Sequence, residues 1–193
     1  MSQGLKSAQQ LLKRESRYRG RVIDVSLDQV RLPNGREVKL EIIDHPGGAA
    51  AVAIDEQERV CLVHQFRHAA DGWLWELPAG RIEPDESPLE TARRELAEEA
   101  GVSAADWTDL GAMHSSPGVF REVIHLWLAR TLEQVGQSHE PEELMEVHWL
   151  PFNQALDWCN DGTITDAKTL IGLFRTDALM RGALELMSED PGC

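Results

Sequence analysis

The sequence predicts an α+β fold, and three observations lead to this prediction. Alternating segments and apolar runs typical of β-strands occur between residues 21 and 77 and return after residue 106. One segment with helical spacing, residues 87–101, separates these two groups, and two further helical segments follow near the C-terminal end. No internal repeat or low-complexity linker divides the 193 residues, which are enough for one well-cored domain with a small extension.

The N-terminal part is predicted to consist of strands joined by turns. Residues 1–18 are polar and mixed, which predicts a short helix or a loosely held arm. Two alternating segments flank Leu32-Pro33-Asn34-Gly35, and Asn-Gly is the strongest short signal for a β-hairpin. The strands predicted before the first helix are Arg21–Arg31, Glu37–Asp44, Ala49–Ile54, Val60–Gln65 and Trp73–Leu77.

The segment from Ser87 to Gly101 carries signals for the start and the end of a helix. Ser87 and Glu90 fit a capping box, with Pro88 at the first helical position. Gly101 supplies a C-terminal stop. At about 100° per residue, one face of this helix is apolar. That stripe consists of Leu89, Ala92, Leu96 and Ala100.

After this helix the pattern returns to strands and then ends in helices. Apolar alternation predicts strands, and a polar stretch between two of them predicts a loop. The last two apolar segments have helical length and spacing. The predicted strands are Trp107–Met113, Ile124–Arg130 and Met145–Leu150, the loop is Leu132–Glu143, and the helices are Phe152–Asn160 and Ala167–Arg181.

Three glutamates crowd one edge of the predicted first helix. Glu95 and Glu99 are four residues apart, and Glu98 lies beside them. Like charges at this spacing repel by roughly a few tenths of a kcal/mol per exposed pair. A site for divalent cations turns the repulsion into attraction, because Mg²⁺ prefers hard oxygen ligands. The alternative explanation is an acidic surface helix facing solvent.

The same stretch has the spacing of a known motif. Gly80, Glu86 and the run Arg94-Glu95-Leu96-Ala97-Glu98-Glu99-Ala100-Gly101-Val102 match every fixed position of the Nudix box. The chain therefore resembles the Nudix hydrolases, which are Mg²⁺-dependent enzymes that cleave a nucleoside diphosphate linked to another group. The resemblance implies the Nudix α/β/α sandwich with a mixed β-sheet, extended by an N-terminal β-hairpin.

Motifs outside the box resemble the ADP-ribose pyrophosphatase branch of this family. They are Gln65-Phe66-Arg67, Trp75-Glu76-Leu77-Pro78-Ala79-Gly80 and Ser115-Ser116-Pro117-Gly118. Nucleotide-sugar hydrolases share several of these motifs. The branch implies a homodimer in which the hairpin is swapped between subunits. The expected division is an arm and hairpin over residues 1–46, a Nudix domain over 47–185 and a tail over 186–193.

The resemblance also assigns roles in metal binding and catalysis. Two or three Mg²⁺ ions, or Mn²⁺ in their place, would bind the backbone carbonyl of Ala79 and the carboxylates of Glu95, Glu98 and Glu99. Glu86 would add an outer-sphere contact. Arg94 would either orient a carboxylate through an ion pair or serve packing. The general base would be Glu143, with Glu140 as second choice, or the acidic loop that holds them has no catalytic member.

Substrate contacts follow from the same likeness. Arg67 would contact a phosphate or a ribose, or would form an ordinary salt bridge. Glu76 would bind a ribose hydroxyl, or would pair with an arginine across a subunit interface. Pro117 and Gly118 would shape the loop beside the terminal ribose, and Glu122 would reach the site.

Composition limits the classes of partner. The formal net charge of −14 argues against nonspecific binding to nucleic acid or anionic membranes. There is no apolar run long enough to span a membrane and no signal-peptide pattern, and three cysteines without metal-ligand spacing suggest a reducing cytoplasm. The sequence therefore predicts a cytoplasmic enzyme that hydrolyses the small-molecule nucleotide ADP-ribose to AMP and ribose 5-phosphate. The alternatives are hydrolysis of ADP-sugars or GDP-mannose, and a Nudix domain that senses a nucleotide without cleaving it.

Overall fold

A computed structural model describes residues 9–136 and 144–182 of the chain. Contacts between elements divide the chain into two units. The first unit contains the chain up to Gly47 together with His114–Val123, and the second contains Gly48–Met113 and the chain from Ile124 onward.

Strands and helices follow one another in the order expected of an α+β fold. The strands are β1 (Gln10–Arg19), β2 (Asp24–Arg31), β3 (Glu37–Asp44), β4 (Gly48–Ala53), β5 (Arg59–Arg67), β6 (Gly72–Glu76), β7 (Ala79–Arg81), β8 (Val102–His114), β9 (Phe120–Arg121), β10 (Val123–Gln134) and β11 (Met145–Pro151). The helices are α1 (Pro88–Ala100), α2 (Phe152–Asp161) and α3 (Ala167–Met180), and a short 3₁₀ turn covers His68–Ala70.

The first unit is built on one sheet with the strand order β1-β2-β3-β9. Strands β1, β2 and β3 are antiparallel to their neighbours, whereas β9 runs parallel to β3. The hairpin predicted around Asn34-Gly35 is confirmed. The amide of Gly35 donates to the carbonyl of Leu32 at 2.8 Å, and Gly35 has a φ of 82°, which glycine adopts without steric cost.

The prediction of a short helix or a loose arm for residues 1–18 is wrong from Gln10 onward, because this segment forms strand β1. Two register shifts in its pairing with β2 interrupt the two-residue alternation that would have indicated a strand. The strand is instead fixed by backbone bonds to β2 and by an ion pair between Arg14 and Asp28. Both partners lie far along the chain, so no local pattern shows them.

In the second unit, helices cover both faces of two sheets, as the predicted sandwich requires. The strand orders are β7-β4-β10-β8 and β11-β5-β6. Strand β4 is buried over its whole length, and its alternate residues belong to two cores. Ala50 and Val52 belong to the core of α2 and α3, whereas Ala51 and Ala53 belong to the core of α1.

Helix α3 packs closely against the strands of this unit. A Cβ added to Gly172 would lie 2.7 Å from a methyl carbon of Leu77 and 3.1 Å from one of Val52. The absence of a side chain at Gly172 therefore lets the helix approach both β4 and the end of β6. Strands β4 and β5 are joined by a turn, as predicted. A single bridge between Ile54 and Val60 connects them, and they belong to different sheets.

The remaining predicted elements are present with shifted ends. Strand β8 begins at Val102, directly after the helix, and β10 continues to Gln134 into the segment predicted as a loop. Residues 137–143 of that loop lie outside the described residues. Within residues 9–136 and 144–182, no helix combines the length and the apolar character needed to cross a membrane.

Candidate metal and substrate site

Helix α1 is fixed at both ends by the residues that predicted it. The Ser87 side chain accepts from the amide of Glu90, and the Glu90 side chain accepts from the amide of Ser87, which completes the capping box. Gly101 ends the helix in the left-handed region, with a φ of 70°. Ala92, Leu96 and Ala100 are buried on its inner face, and Leu89 is half-buried. The helix therefore presents its glutamates in a defined register.

Glu95 lies directly against the backbone of Gly80, the first residue of the motif. A Cβ built on Gly80 would fall 1.8 Å from a carboxylate oxygen of Glu95. Any side chain at residue 80 would displace this carboxylate, because real Cβ contacts are never that short. Glycine at residue 80 therefore leaves room for the Glu95 carboxylate in this position.

Glu99 is the most buried of the three predicted metal ligands, with 3% of its surface exposed. One of its carboxylate oxygens accepts from the amide of Ala79 at 3.0 Å. Burial raises the pKa of the neighbouring Cys61 thiol, and the charge of Glu99 raises it further. A buried carboxylate is costly unless hydrogen bonds and a cation compensate for its lost hydration. The structure thus holds Glu99 beside Ala79, whose carbonyl is also predicted to bind metal.

Arg94 joins three carboxylates through one guanidinium group. Two of its nitrogens donate to Glu86 at 2.8 and 3.0 Å, and Nη1 donates to Glu95 at 2.6 Å and to Glu98 at 3.1 Å. The Arg94 hydrogen bonds, assisted by one from Thr91, lower the pKa of Glu86 to about 2 despite partial burial. The same hydrogen bond with Glu86 is the main cause that raises the pKa of Arg94. The ion pair predicted between Arg94 and a nearby carboxylate is present.

The donor set around α1 fits a divalent cation by its chemistry. Glu95 and Glu98 both lie within 3.1 Å of Nη1 of Arg94. Their two carboxylates are therefore close to each other, and the positive charge of Arg94 already stabilises them. In the described part of the chain, no three carboxylate, imidazole or thiol side chains are already arranged as a set of metal ligands. Hard carboxylate oxygens are nevertheless what Mg²⁺ and Mn²⁺ bind.

Arg67 and Glu76 form an ion pair within the chain. Nε and Nη2 of Arg67 donate to the two carboxylate oxygens of Glu76 at 2.8 and 3.0 Å. Glu76 is 2% exposed, and it also accepts from Lys168. Burial raises the pKa of Glu76, but Arg67 and Lys168 outweigh it and hold this pKa below its ordinary value. The salt bridge considered for Arg67 is therefore present, and the arginine that pairs with Glu76 belongs to the same chain.

Lys168 is the member of this group that sequence reasoning left without a role. It precedes Thr169, whose hydroxyl accepts from the amide of Leu77 at 2.9 Å and donates to Asp166 at 2.6 Å. Asp166 in turn caps helix α3 and pairs with Lys168 at 3.1 Å. The sequence signal at this position is the run Asp166-Ala167-Lys168-Thr169. This run predicts the start of a helix, but it does not show which strand the helix start contacts.

The other predicted substrate residues lie in the first unit. Pro117 and Gly118 occupy an exposed turn closed by the amide of Phe120, which donates to the carbonyl of Ser116 at 2.8 Å. Glu122 is half-buried and lies 3.2 Å from Nδ1 of His45. Glu140 and Glu143 lie outside the described residues.

Comparison with known proteins agrees with this architecture. The family model of the NUDIX domain matches residues 44–170, and the chain belongs to the Nudix family of hydrolases. Nudix enzymes use divalent metal ions, in agreement with the donor set on α1. A solved structure described as an ADP compounds hydrolase superposes with a TM-score of 0.80 at 22% identity, covering 94% of this chain and 98% of that one, which shows the fold.

Three curated relatives are similar along most of their length. The chain is 36% identical over 160 residues to an ADP-ribose pyrophosphatase of Bacillus subtilis (strain 168), covering 82% of this chain and 86% of the relative. It is 34% identical over 171 residues to an ADP-ribose pyrophosphatase of Mycobacterium tuberculosis, covering 87% and 83%. It is also 36% identical over 159 residues to a GDP-mannose pyrophosphatase of Klebsiella pneumoniae, covering 75% and 78%.

Proposed function

We propose that this chain is a Mg²⁺-dependent pyrophosphatase that hydrolyses ADP-ribose to AMP and ribose 5-phosphate. The observation that carries the proposal is the placement by one capped helix of Glu95 against Gly80 and of Glu99 on the amide of Ala79, with Glu98 joined to Glu95 through Arg94. Two relatives named ADP-ribose pyrophosphatase support this choice of substrate.

We propose the same metal ligands that the sequence predicts. Glu95, Glu98, Glu99 and the carbonyl of Ala79 would hold two or three Mg²⁺ ions, and Mn²⁺ suits the same oxygens. Bound divalent ions would neutralise the negative charge that develops on the pyrophosphate. Arg94 would keep Glu95 and Glu98 oriented, and Glu86 would fix Arg94 through its two hydrogen bonds.

An arginine and a glutamate would contact different parts of the substrate. The Arg67 side chain is 41% exposed, and its planar guanidinium suits a phosphate oxygen. Glu76 would act on the substrate through Arg67, because its two oxygens already accept from Arg67 and Lys168. Glu122, with Pro117 and Gly118 in the preceding turn, would contact the ribose part of the substrate.

A carboxylate must accept the proton of the attacking water. We propose Glu143 for this role, with Glu140 and then Glu98 as the alternatives. The support is the offset of Glu143 from β11, which resembles the position of a catalytic loop glutamate in this branch. A base on a loop fits a site completed only when the substrate binds.

The experiment that tests this function is a hydrolysis panel with the full chain. ADP-ribose, ADP-glucose, GDP-mannose, NADH and a diadenosine polyphosphate would each be incubated with Mg²⁺, with Mn²⁺ and with EDTA, and the products identified by mass. We expect the highest kcat/KM for ADP-ribose, with AMP as product, and no hydrolysis in EDTA.

Two other results would replace the proposal. A higher kcat/KM for ADP-glucose or GDP-mannose would reassign the enzyme to nucleotide-sugar turnover, as the GDP-mannose pyrophosphatase relative suggests. Tight binding of one nucleotide without cleavage of any would instead identify a nucleotide sensor. Hydrolysis that persists in EDTA would contradict the metal assignment.

We also propose that the enzyme is a cytoplasmic homodimer whose N-terminal hairpin, Arg21–Asp44, is swapped between subunits. Strand β1 supports a role in assembly, because it is a ten-residue strand at one edge of its sheet, and such edges pair with other chains. We also propose the division into an arm and hairpin over residues 1–46, a Nudix domain over 47–185 and a tail over 186–193. The family match over residues 44–170 supports the second part, and the tail lies outside the described residues. Cys61 and Cys159, both free thiols, support a reducing compartment.

A further inference from the structure

Lys168 lies in the first turn of helix α3, where a cation is unfavourable. Asp166 caps this helix by accepting from the amide of Thr169 at 3.0 Å, and Lys168 is the second helical residue. The N-terminal end of a helix carries a partial positive charge, so carboxylates rather than lysines are favoured there. The interaction that accounts for a lysine at this position therefore lies outside the helix.

The ammonium group of Lys168 lies between two carboxylates. It donates to Oε2 of Glu76 in strand β6, and it lies 3.1 Å from Oδ2 of Asp166. The same oxygen of Asp166 accepts from the hydroxyl of Thr169 at 2.6 Å, as part of the helix cap. The Lys168 side chain is 12% exposed and Glu76 is buried, so solvent screens their contact only weakly.

Glu76 divides its two carboxylate oxygens between Lys168 and Arg67. Oε1 accepts from Nε of Arg67 at 2.8 Å, whereas Oε2 accepts both from Nη2 of Arg67 at 3.0 Å and from Lys168. Burial raises the pKa of Glu76, but these two cations hold it below its ordinary value, so the carboxyl group is ionised at neutral pH. Two cations therefore share one buried negative charge.

The two cations differ in their exposure to solvent. The Arg67 side chain is 41% exposed and can be reached by a phosphate group, whereas Lys168 is held between its two carboxylates. Because Lys168 compensates part of the charge of Glu76, this carboxylate offsets less of the positive charge of Arg67. Without Lys168, Arg67 would be the only cation paired with Glu76, and it would attract a phosphate more weakly.

We infer that Lys168 is a positioning residue for substrate binding, which acts through Glu76 by keeping the guanidinium group of Arg67 available to a phosphate oxygen. Lys168 is not itself a substrate contact. The inference deepens the proposed function and rests on it, because its kinetic consequence needs Arg67 to contact a phosphate of the nucleotide substrate.

Steady-state kinetics with ADP-ribose and Mg²⁺ would test this role in variants of the full chain. Lys168→Met removes the charge and nearly keeps the length of the side chain. We expect KM to rise about tenfold, as for the loss of one hydrogen bond to a charged group, while kcat changes less than about threefold. An unchanged KM in this variant would refute the inference.

Replacement of Glu76 distinguishes the charge of Lys168 from its packing. Glu76→Gln removes the charge that Lys168 compensates, and its amide oxygen can still accept from Arg67. In the double variant of Lys168→Met with Glu76→Gln, KM should therefore stay within about threefold of the value for Glu76→Gln alone. This comparison holds even if Lys168→Met alone does not fold. A tenfold higher KM in the double variant would show that Lys168 does not act through Glu76, and it would overturn the inference.

The chain contains a matched control at the other end of the same helix. Arg181 follows directly after α3 and pairs with Asp177 at 2.8 Å, but its side chain is 70% exposed. Arg181→Met changes the net charge by the same amount as Lys168→Met, and it should leave both KM and kcat unchanged. A tenfold increase of KM in this variant would show that loss of any cation near α3 weakens substrate binding, and it would refute the specific role of Lys168.

A binding measurement separates failure of this inference from failure of the proposed function. If the unmodified chain hydrolyses no nucleotide, the proposed function fails, and the Kd of ADP-ribose from isothermal titration calorimetry takes the place of KM. A Kd that rises about tenfold in Lys168→Met, with no such rise in the Glu76→Gln background, would support the role of Lys168 in a protein that binds without cleavage. An unchanged Kd, or no binding of ADP-ribose to the unmodified chain, would refute that role as well.

Discussion

Two clusters of arginines and carboxylates, one in each unit, differ in their charge balance. In the first unit, Arg14 and Arg121 face two aspartates, so the charges cancel. In the second unit, the single guanidinium group of Arg94 pairs with three glutamates. The carboxylates of the first cluster are matched by arginines within the chain, whereas the second cluster has more carboxylates than guanidinium groups and is suited to bind cations.

The balanced cluster is a closed network built around Asp28. This side chain is fully buried, and it accepts from Arg14 at 2.8 and 2.6 Å, from Ser26 at 3.0 Å and from Arg121 at 3.2 Å. The hydrogen bond from Arg14 is the main cause that lowers the pKa of Asp28, against the opposing effect of burial. Because this network joins β1, β2, β3 and β9, replacement of its residues should mainly change the stability of the fold.

The unbalanced cluster lies on a single helix and the loop before it. Nε and Nη2 of Arg94 donate to Glu86, and Glu95 and Glu98 share the remaining guanidinium nitrogen, Nη1. Glu99, four residues after Glu95, is buried beside Ala79. Like charges at this spacing destabilise a helix unless a cation compensates for them. The effect of this cluster should appear mainly in activity and metal dependence.

The largest effect is expected from Glu99→Gln. The amide keeps the shape of the side chain and can still accept from Ala79, but it removes the charge of a proposed metal ligand. We expect kcat with Mg²⁺ to fall by about two to three orders of magnitude, by analogy with the loss of one electrostatic stabiliser of a transition state. Steady-state hydrolysis of ADP-ribose measures it.

The matched control is Glu133→Gln, an equal change at an exposed position of β10. Both variants should keep the far-ultraviolet circular dichroism of the unmodified chain. Normal activity in Glu99→Gln would refute the assignment of Glu99 as a metal ligand. Equal losses in both variants would show that the effect is not specific to the site.

The next effect in size is a loss of stability in Asp28→Asn. The replacement leaves Arg14 and Arg121 without their buried partner, but both arginines are partly exposed and can reach water. We therefore expect the free energy of unfolding to fall by about 2 kcal/mol, between the values for exposed and fully buried pairs. Urea unfolding at pH 7 measures this change.

Glu37→Gln provides the comparison for Asp28→Asn. Glu37 pairs with Arg31 at 2.8 Å in the same sheet, but the two side chains are 44% and 47% exposed. Its replacement should change the free energy of unfolding far less than Asp28→Asn does, because solvent screens an exposed ion pair. If the two variants lose the same stability, burial is not what gives the Asp28 network its strength.

The smallest effect expected is the pH dependence that Glu86 contributes. Its pKa is about 2 in the folded chain, below the ordinary value of a glutamate, because Arg94 donates to it. A lowered pKa stabilises the fold above the unfolded value, and this stabilisation is lost as the pH falls from about 4.3 toward the folded value. Glu86→Gln should cost about 1 kcal/mol at pH 7, and the difference should shrink below pH 4.

Urea unfolding of the two proteins at a series of pH values from 7 to 3 tests this prediction. The difference in the free energy of unfolding should be constant above about pH 5 and then decrease. A difference that stays constant down to pH 3 would show that the carboxylate of Glu86 is not what Arg94 stabilises.

What the sequence determined is confined to interactions between near neighbours in the chain. The capping box of Ser87 and Glu90 and the stop at Gly101 define α1 without any tertiary contact, because their partners are three or four residues away. The same holds for the turn at Asn34-Gly35, whereas the ion pair of Arg94 with Glu98 was one of two roles that the sequence left open. The family motif identified Gly80 as a fixed position, but only the structure shows that the Glu95 carboxylate lies against it.

Tertiary structure decided everything that depends on partners far apart in the chain. Strand β1 exists because β2 pairs with it, Arg67 meets Glu76 across β5 and β6, and Lys168 reaches the same carboxylate from 92 residues away. Arg121 likewise meets Asp28 across 93 residues. A side chain's charge and shape are written in the sequence, but which opposite charge it meets depends on strand order and register, and these are fixed only when the sheets assemble.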